Sequence, residues 1–335
     1  MTPNTSPRTL SIGGATYDVF LKMDAEHETL VNGKKMVQLP VGHKVKVKEV
    51  VESCGGGANN TAVGLARLGC NAAFCGVVGD DQWGQRMLEN FKREGVDVSS
   101  VTEVEHESTS FSIVLSMASR DRTILYTPGV NEHLHDVTFD REAIRRSDAV
   151  FLNHLSETAC TIEDDLIASL QGDPHIHLTW NPGGCQIDAG MRARDKAALL
   201  KLTDLLILNK EEAEAFTKQA NVQDALAALL DAGAKNVCIT DGPNGTYAGD
   251  GTHCYHCPIR KDVKVFDSTG AGDAFGTGAT WALLTGRSLP TALVAGTLNA
   301  ASVIQVLGAQ AGQLKETEML SQLEQHHVTV ELLPW

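Results

Sequence analysis

The sequence has little that would direct the protein to nucleic acid or into a membrane. Its 335 residues contain 28 Lys and Arg against 42 Asp and Glu, a formal net charge of −14. This excess of negative charge argues against nucleic acid and anionic membranes as partners. No apolar run approaches the roughly 20 residues of a membrane-spanning helix, and residues 1–9 lack the charged-then-apolar layout of a signal peptide. We therefore expect a soluble, cytoplasmic protein.

The chain also lacks internal repeats, low-complexity linkers and a recognisable disulfide framework. Its eight cysteines are scattered, and Cys75 and Cys238 lie in apolar stretches, as is typical of reduced core thiols. The segment 253–257 (HCYHC) has a spacing that could suit a metal, but no second Cys pair lies at a structural-zinc distance. We interpret it as an ordinary strand with alternating faces, with a metal site as the alternative.

Short apolar runs alternate with amphipathic stretches along most of the chain. Hydrophobic residues make up 42% of the sequence and charged residues 21%, which allows a substantial core. The alternation predicts a mostly parallel sheet covered by helices, in a single α/β domain over 1–335. The predicted strands are 9–13, 73–78, 148–153, 175–181, 205–209 and 236–240. The predicted helices are 58–68, 83–94, 162–170, 192–201 and 222–231.

Two segments interrupt this alternation. Residues 31–52 contain alternating apolar and polar positions, most clearly over 44–50, and residues 111–117 and 123–126 are typical of a hairpin. Neither segment is followed by a crossover helix, so we expect a small separate sheet. An ordinary edge hairpin is the alternative.

The run 267–275 (DSTGAGDAF) combines features of an anion site. It follows a strand-like stretch at 263–266 and opens an apolar helical stretch at 274–284. Small residues at a helix N-terminus leave backbone N–H groups open to an anion. Asp273 would repel that anion unless it takes a proton from an attacking nucleophile. A Gly-rich turn with an acidic first-turn residue is the alternative.

A second Gly-rich segment, 53–62 (SCGGGANNTA), leads into an apolar stretch at 63–69 and the charge-free strand at 73–78. Together the two segments resemble the two signatures of the ribokinase-like (PfkB) carbohydrate kinase family. The matching positions are Gly56, Gly57, Asn60, Ala62, Gly69 and Gly79 in the first, and Asp267, Gly270, Ala271, Gly272 and Asp273 in the second. Thr277 departs from the pattern, since the family usually has a smaller residue there.

The resemblance implies a three-layer α/β sandwich with a mostly parallel central sheet and a small β lid, formed here by about 21–52 and 107–127. Lids of this family frequently carry a dimer contact, so a homodimer through the lid is an expectation. The implied catalytic residues are the base Asp273 and the backbone N–H groups of Gly270, Ala271 and Gly272. The implied acceptor contacts are Asp18, Gly56, Gly57 and Asn60.

The resemblance also implies an ATP site with Mg²⁺. Its residues would be Asn209, Glu212, Thr240, Gly242, Gly245 and Asn299, with the loop 308–312 closing the adenine pocket. Glu212 would hold Mg²⁺ through water, and Asp267 and Thr269 match positions that bind K⁺ in several members. Each has an alternative in the sequence itself: Asn209 is a good helix N-cap, 243–245 is a plain turn signal, and Asn299 suits an exposed helix face.

The sequence defines the identity of the phosphoryl acceptor less closely than it defines the ATP site. Ribose-specific members tend to have Asn where this chain has Thr16, and an acid directly after the strand at 148–153, where this chain continues with 153–157 (NHLSE). These departures argue against free ribose and make His154 and Glu157 candidates for selectivity, with ordinary loop residues as the alternative. Apolar positions at 37–39 and 111–115 could roof a base, which favours a nucleoside.

The implied function is transfer of the γ-phosphoryl group of ATP to a hydroxymethyl group of a sugar or nucleoside. A non-catalytic nucleotide or sugar sensor on the same fold is the alternative, although Asp273 is present. A Rossmann-type dehydrogenase is a rival enzyme class. It would have the motif G-x-G-x-x-G directly after the first strand, and residues 12–17 do not contain that motif.

Overall fold

The computed structural model describes residues 6–24, 27–117, 122–135, 141–155, 161–326 and 328–335. Within these ranges the chain forms sixteen strands and eleven α-helices. The strands are β1 (Arg8–Ile12), β2 (Thr16–Lys22), β3 (Glu28–Val31), β4 (Lys34–Val37), β5 (Glu49–Gly55), β6 (Asn71–Gly79), β7 (Asp97–Val104), β8 (Phe111–Ser116), β9 (Arg122–Thr127), β10 (Ala149–Leu152), β11 (His177–Trp180), β12 (Leu205–Asn209), β13 (Val237–Thr240), β14 (Thr246–Gly249), β15 (Cys254–Cys257) and β16 (Glu331–Leu333).

The helices alternate with the strands of the main sheet. They are α1 (Gly57–Arg67), α2 (Gln82–Glu94), α3 (Arg141–Arg145), α4 (Thr161–Gly172), α5 (Cys185–Ala189), α6 (Arg194–Leu202), α7 (Lys210–Thr217), α8 (Val222–Asp231), α9 (Ala271–Leu284), α10 (Leu289–Val303) and α11 (Glu316–Gln325). Two 3₁₀ turns cover Gly129–His135 and Gly242–Asn244.

The main sheet has ten strands in the order β16-β15-β14-β13-β12-β11-β10-β1-β6-β7. The seven strands from β13 to β7 are mutually parallel, and β14, β15 and β16 pair antiparallel at one edge. Because the carboxyl ends of parallel strands meet at one edge of a sheet, the loops after β1, β10, β12 and β13 are gathered together there.

Helices cover both faces of this sheet. Alternate residues of one strand enter different cores: Leu206 and Leu208 of β12 pack with α4 to α8, whereas Leu205 and Ile207 pack with α1, α9 and α10. Strands buried on both faces are continuously apolar, as β10 (AVFL) illustrates. The predicted α/β architecture with a mostly parallel sheet is confirmed.

A second sheet of four strands has the order β5-β2-β8-β9, and β3 and β4 form a two-stranded sheet. The predicted hairpin of β8 and β9 is confirmed by their antiparallel register. The expected separate sheet is present, but the stretch 44–50, where the alternation is clearest, supplies just its last two residues to a strand, because that strand begins at Glu49 and continues to Gly55. The reason is the length of its partner, since β2 ends at Lys22, opposite Glu49.

The strand-like stretch at 263–266 is not a strand. Its Val265 and Phe266 are 46% and 52% exposed, and the Phe266 N–H donates to the Ile304 carbonyl at 2.7 Å, at the end of α10. The segment therefore crosses the surface beside α10 instead of joining a sheet.

The segment 253–257 contains a strand, as predicted, since β15 lies between β14 and β16. The described ranges contain no group of three or more His, Cys, Asp or Glu side chains arranged to hold a metal ion. In the same ranges, no helix combines the length and apolarity needed to cross a bilayer.

Candidate functional site

Two helix N-termini, those of α1 and α9, meet at the carboxyl edge of the main sheet. Asn60 in the first turn of α1 donates from Nδ2 to Asp273 Oδ2 in the first turn of α9, at 2.8 Å. A Cβ placed on Gly57 would lie 3.5 Å from Asp273 Oδ1. The two Gly-rich segments, distant in sequence, therefore form one site.

The glycine before each helix has a backbone conformation that the fold requires. Gly56 has φ +91°, and a Cβ there would lie 2.6 Å from the Gly14 carbonyl oxygen. Gly270 has φ +74°, and a Cβ there would lie 2.7 Å from Ala309 Cα. By contrast, a Cβ at Gly272 would meet nothing within 4 Å. Gly56 and Gly270 are thus needed for packing, whereas the space beside Gly272 is open to a ligand.

The N-terminus of α9 has no side-chain cap. The Ala271 N–H donates to the Ser268 carbonyl at 3.3 Å, and the first helical bond runs from the Ala274 N–H to the Gly270 carbonyl. The N–H groups of Gly272 and Asp273 therefore have no acceptor within the helix. Such a terminus attracts an anion through its open donors and its dipole.

Asp273 has the electrostatics of a general base near neutral pH. Burial and, to a smaller extent, the nearby carboxylate of Glu212 raise the pKa of its carboxyl to about 6, against the opposing effect of the hydrogen bond from Asn60. A base is most effective when its pKa lies near the operating pH. Perturbed carboxyls in a cleft are also typical of functional sites.

Asp18 approaches the same region from β2 of the second sheet. Ser112 Oγ donates to Asp18 Oδ1 at 2.5 Å, and a Cβ on Gly55 would collide with Asp18 Oδ2. Burial raises the pKa of Asp18 to about 6, and the carboxylate of Asp267 contributes in the same direction. Asp18 thus borders the turn that leads into Gly56 and Gly57.

Asn153, directly after β10, is a site residue that the sequence analysis missed. It is 1% exposed, its Nδ2 donates to Thr61 Oγ1 at 3.0 Å, and its Oδ1 has no hydrogen-bond partner. That oxygen would lie 3.2 Å from a Cβ on Gly57. The available signal was a polar residue at the carboxyl end of a parallel strand.

The other residues that we considered for acceptor selectivity are His154, Thr16 and Glu157. The exposed His154 ring lies against the backbone of Gly183 and Gly184, where a Cβ would approach it to 3.0 and 2.8 Å. Thr16 Oγ1 lies 2.9 Å from Ser110 Oγ. Glu157 lies outside the described residues.

A cavity of about 410 Å³ opens beside the N-terminus of α9. Its lining includes Thr240, Gly242 and Gly245, as expected for a nucleotide loop, together with Ala271 and Gly272. Much of the remaining wall is apolar and comprises Val263, Val265, Phe275, Ala300, Ala301 and Ile304. A largely apolar wall next to open backbone N–H groups suits a ligand with a planar apolar part and an anionic part.

Asn209 and Glu212 form a capping box at the start of α7. The Glu212 N–H donates to Asn209 Oδ1 and the Asn209 N–H donates to Glu212 Oε2, both at 2.8 Å. The N-cap alternative for Asn209 is therefore confirmed. Burial raises the pKa of Glu212, and its charge acts on Asp273, so Glu212 also borders the site.

Asn299 does not reach the cavity. It is fully buried, its Nδ2 donates to the Ala274 carbonyl at 2.8 Å, and its Oδ1 accepts from the Leu314 N–H at 2.9 Å. The alternative of an exposed helix face for Asn299 is wrong, because α10 packs against α9 with this residue inward. The adenine contact stays a prediction. The loop 308–312 packs elsewhere too, with Ala309 against Gly270.

Asp267 ties three segments together. Its Oδ1 accepts from the Thr269 N–H at 3.0 Å and from Thr269 Oγ1 at 2.8 Å. Its Oδ2 accepts from the Gly308 N–H at 3.2 Å, and Arg122 of β9 forms an ion pair with it at 3.3 Å. Asp267 therefore links the anion turn to the loop at 308 and to the second sheet.

Phe111 does not face the acceptor side. Its ring packs on Tyr17 and Trp83, with centroids 6.5 and 5.3 Å apart. Because Ser112, the next residue of β8, points towards Asp18, Phe111 lies on the opposite face. Phe111 therefore does not contribute to the roof over a base that we expected from 37–39 and 111–115.

Comparisons with known proteins agree with this architecture. The sequence model of the pfkB family carbohydrate kinases matches residues 33–316. The chain is 29% identical over 285 residues to a ribokinase of Haemophilus influenzae, covering 81% of this chain and 87% of that protein. It is 30% identical over 278 residues to an ATP-dependent ribose-1-phosphate kinase of Halopiger xanaduensis, covering 82% and 84%. An Arabidopsis thaliana ribokinase solved with ribose and ATP has a TM-score of 0.80 at 22% identity, covering 96% of this chain and 99% of that one. The predicted ribokinase-like fold is confirmed.

Proposed function

Because this chain belongs to the pfkB family of carbohydrate kinases, we propose that it transfers the γ-phosphoryl group of ATP to a hydroxymethyl group of a sugar or nucleoside. The observation that carries the proposal is Asp273, a half-buried residue whose carboxyl has a pKa of about 6. It lies in the first turn of α9, whose N-terminus is uncapped, and its Oδ1 approaches Gly57, which is itself partly exposed. This arrangement puts a base between an anion site and the Gly-rich turn at which we propose that the nucleophile binds.

The transfer follows from these positions. ATP occupies the 410 Å³ cavity with its phosphates at the N-terminus of α9. The acceptor hydroxyl loses its proton to Asp273 as its oxygen bonds to the γ-phosphorus, and the bond to the β,γ-bridging oxygen breaks to release ADP. The N–H groups of Gly272 and Asp273, which have no acceptor within the helix, and that of Gly270 stabilise the charge on the transferred group. The Ala271 N–H already donates to the Ser268 carbonyl and would have to exchange that bond to join them.

Mg²⁺ fits the donors at the edge of this site. Carboxylate oxygen is the ligand type that Mg²⁺ prefers, with several water molecules retained, and Glu212 presents a carboxylate beside Asp273. When bound with ATP, Mg²⁺ would neutralise charge on the phosphates. Glu212 would hold it through water, since one of its oxygens already accepts from Asn209.

The side chains of Asp267 and Thr269, at the proposed K⁺ site, are already engaged in hydrogen bonds with neighbouring groups. Both Asp267 oxygens already accept hydrogen bonds from Thr269 and Gly308. A K⁺ ion there would therefore rely on carbonyl oxygens of the surrounding turns. A comparison of turnover rates in KCl and NaCl tests this part of the proposal alone.

Asp18 is proposed to hold the acceptor through its hydroxyl groups. Phe20, two residues along β2 and on the same face, lines a cavity of about 290 Å³ together with Val51, Phe266 and Leu307. These apolar walls supply the surface for a nucleoside base that Phe111 does not. The second sheet would then act as the lid over the acceptor, with Arg122 connecting it to Asp267.

The same sheet supports a homodimer. Its edge strand β9 exposes Ile124, Leu125 and Tyr126 by 49%, 53% and 57%. An exposed apolar edge strand favours pairing with another chain. The molar mass in solution, compared between the wild type and Leu125→Glu, tests this assignment.

The experiment for the function is an ADP-formation assay with Mg·ATP and ribose, fructose, adenosine, inosine or cytidine. We expect ADP formation that depends on at least one acceptor. A protein that binds ATP but forms no acceptor-dependent ADP with any of them would instead be the non-catalytic sensor.

A further inference from the structure

The buried oxygen of Asn153 lacks a partner, which is unusual for a residue of this burial. Asn153 is 1% exposed, and its Oδ1 is one of the few buried side-chain atoms in the described residues without a hydrogen bond. A buried polar atom left unpaired costs stability. An oxygen left unpaired at such a cost beside the Gly-rich turn and the carboxyl of Asp273 is expected to receive its hydrogen bond from a ligand.

The orientation of the Asn153 amide is fixed by its surroundings. Nδ2 donates to Thr61 Oγ1 at 3.0 Å and lies 3.4 Å from the Phe151 carbonyl oxygen. A carbonyl only accepts, so a flipped amide would set two acceptors against each other. Oδ1 therefore faces the site as a pure acceptor. It selects a hydroxyl or N–H donor and rejects an ether or carbonyl oxygen.

Asn153 Oδ1 and the catalytic carboxylate border the same point. A Cβ on Gly57 would lie 3.2 Å from Asn153 Oδ1 and 3.5 Å from Asp273 Oδ1. Both oxygens therefore flank the backbone of Gly57, which is itself partly exposed. We propose that Asn153 is a specificity residue that accepts a hydrogen bond from a second hydroxyl of the acceptor, close to the hydroxymethyl group that is phosphorylated. This inference rests on the proposed function.

The loop that carries Asn153 is fixed by hydrogen bonds to the buried side chain of Gln186. The Leu155 N–H and the Gly183 N–H both donate to Gln186 Oε1 at 3.3 Å. Gln186 Nε2 donates to Glu163 Oε1 at 2.8 Å, and the buried Glu163 pairs with Lys196. A binding group anchored by a second layer of contacts discriminates better than one on a free loop.

The test measures hydroxyl discrimination, a ratio that a general disturbance of the fold leaves unchanged. The probes are ribose with its 2-deoxy and 3-deoxy forms, and adenosine with its 2′-deoxy and 3′-deoxy forms. For one hydroxyl, we expect the wild-type kcat/KM to fall roughly 5- to 150-fold on its removal, because the Asn153 oxygen is then unpaired. In Asn153→Ala that ratio should approach one.

Two further variants keep the test decisive. Asn153→Ser retains a small polar side chain and replaces Asn153→Ala if thermal melting shows the latter to be misfolded. Asn181→Ala is the matched control, since Asn181 follows the neighbouring strand β11 and donates to the Ile207 carbonyl at 2.9 Å. It should retain the wild-type ratio.

The outcomes separate the two proposals. Turnover with equal discrimination in the wild type and the Asn153 variants would overturn the role of Asn153 and leave the kinase assignment intact. An equal loss of discrimination in Asn181→Ala would also overturn it. Absence of turnover by the wild type with every probe would overturn the proposed function, and this inference with it.

Discussion

Gly57→Ala tests the geometry of the acceptor site with a single methyl group. Gly57 is the first residue of α1, and its φ lies outside the left-handed region. The added Cβ would meet Asn153 Oδ1 at 3.2 Å and Asp273 Oδ1 at 3.5 Å, a tight fit without a severe clash. Ala is also the better helix former, by up to about 1 kcal/mol. The variant should therefore fold with a melting temperature near or above that of the wild type.

The same methyl group would occupy the place of the acceptor. A hydroxyl displaced by about 1 Å from its reacting position loses roughly 10²-fold in rate. We expect kcat/KM for the best acceptor of the panel to fall by about 10²-fold or more. ATP affinity should stay within a factor of about two, because the nucleotide cavity lies on the other side of α9's first turn. Calorimetric ATP binding and steady-state kinetics measure the two effects.

Two neighbouring glycines serve as controls. Gly56→Ala combines φ +91° with a 2.6 Å approach to the Gly14 carbonyl oxygen, so it should lower the melting temperature. Gly272→Ala meets nothing within 4 Å, so its fold should be unaffected, while the new methyl group faces the phosphates and should raise the KM for ATP. If Gly57→Ala keeps the acceptor kcat/KM within about threefold of wild type, the acceptor does not bind beside Gly57.

Four other predictions concern the charged groups. Asp18→Ala should raise the acceptor KM roughly 10- to 150-fold, the worth of one charged hydrogen bond, and spare ATP; an equal effect on both substrates would contradict this assignment. Glu212→Gln should raise the Mg²⁺ concentration for half-maximal rate more than the acceptor KM, and an unchanged Mg²⁺ titration would leave Glu212 only its capping role. Because burial raises the pKa of Asp18 and Asp273 from 3.8 to about 6, activity should fall as pH drops through about 6. The stability that these two carboxyls add is fully present below about pH 3.8 and is lost as the pH rises through about 6. Asp273→Asn should therefore raise the melting temperature at pH 7.5 and change it little at pH 4. Equal shifts of the melting temperature at both pH values would contradict a raised pKa of Asp273.

Sequence patterns predicted the elements whose periodicity is strong. The helix at 222–231 and the strand at 205–209 have the predicted bounds. The joining of 56–60 with 270–273 also followed from the sequence, because each segment needs glycine at a helix N-terminus and the family resemblance related the two. The ends of elements depended on partners instead: β5 begins at Glu49 because β2 ends opposite it.

The direction in which a side chain points was the part that sequence could not supply. Asn299 lies in α10, whose faces are nearly all apolar, a pattern that indicates a buried helix but not which polar group the Asn side chain will meet. Phe111 alternates with Ser112 along β8, and alternation alone does not say which face borders the acceptor. Asn153 was recognisable only as a strand end, since an unpaired oxygen is a property of three-dimensional surroundings.

The most direct test of the account is the kcat of Asp273→Asn with Mg·ATP and the best acceptor, measured beside the affinity for ATP. Asn has nearly the shape of Asp but cannot take a proton, and Asn60 remains opposite to hold its side chain oxygen. The account predicts a fall in kcat of about 10²- to 10⁴-fold, the usual worth of a general base, with nearly unchanged ATP binding. A kcat within a few-fold of the wild type would contradict the role of Asp273 as the base and with it the proposed mechanism.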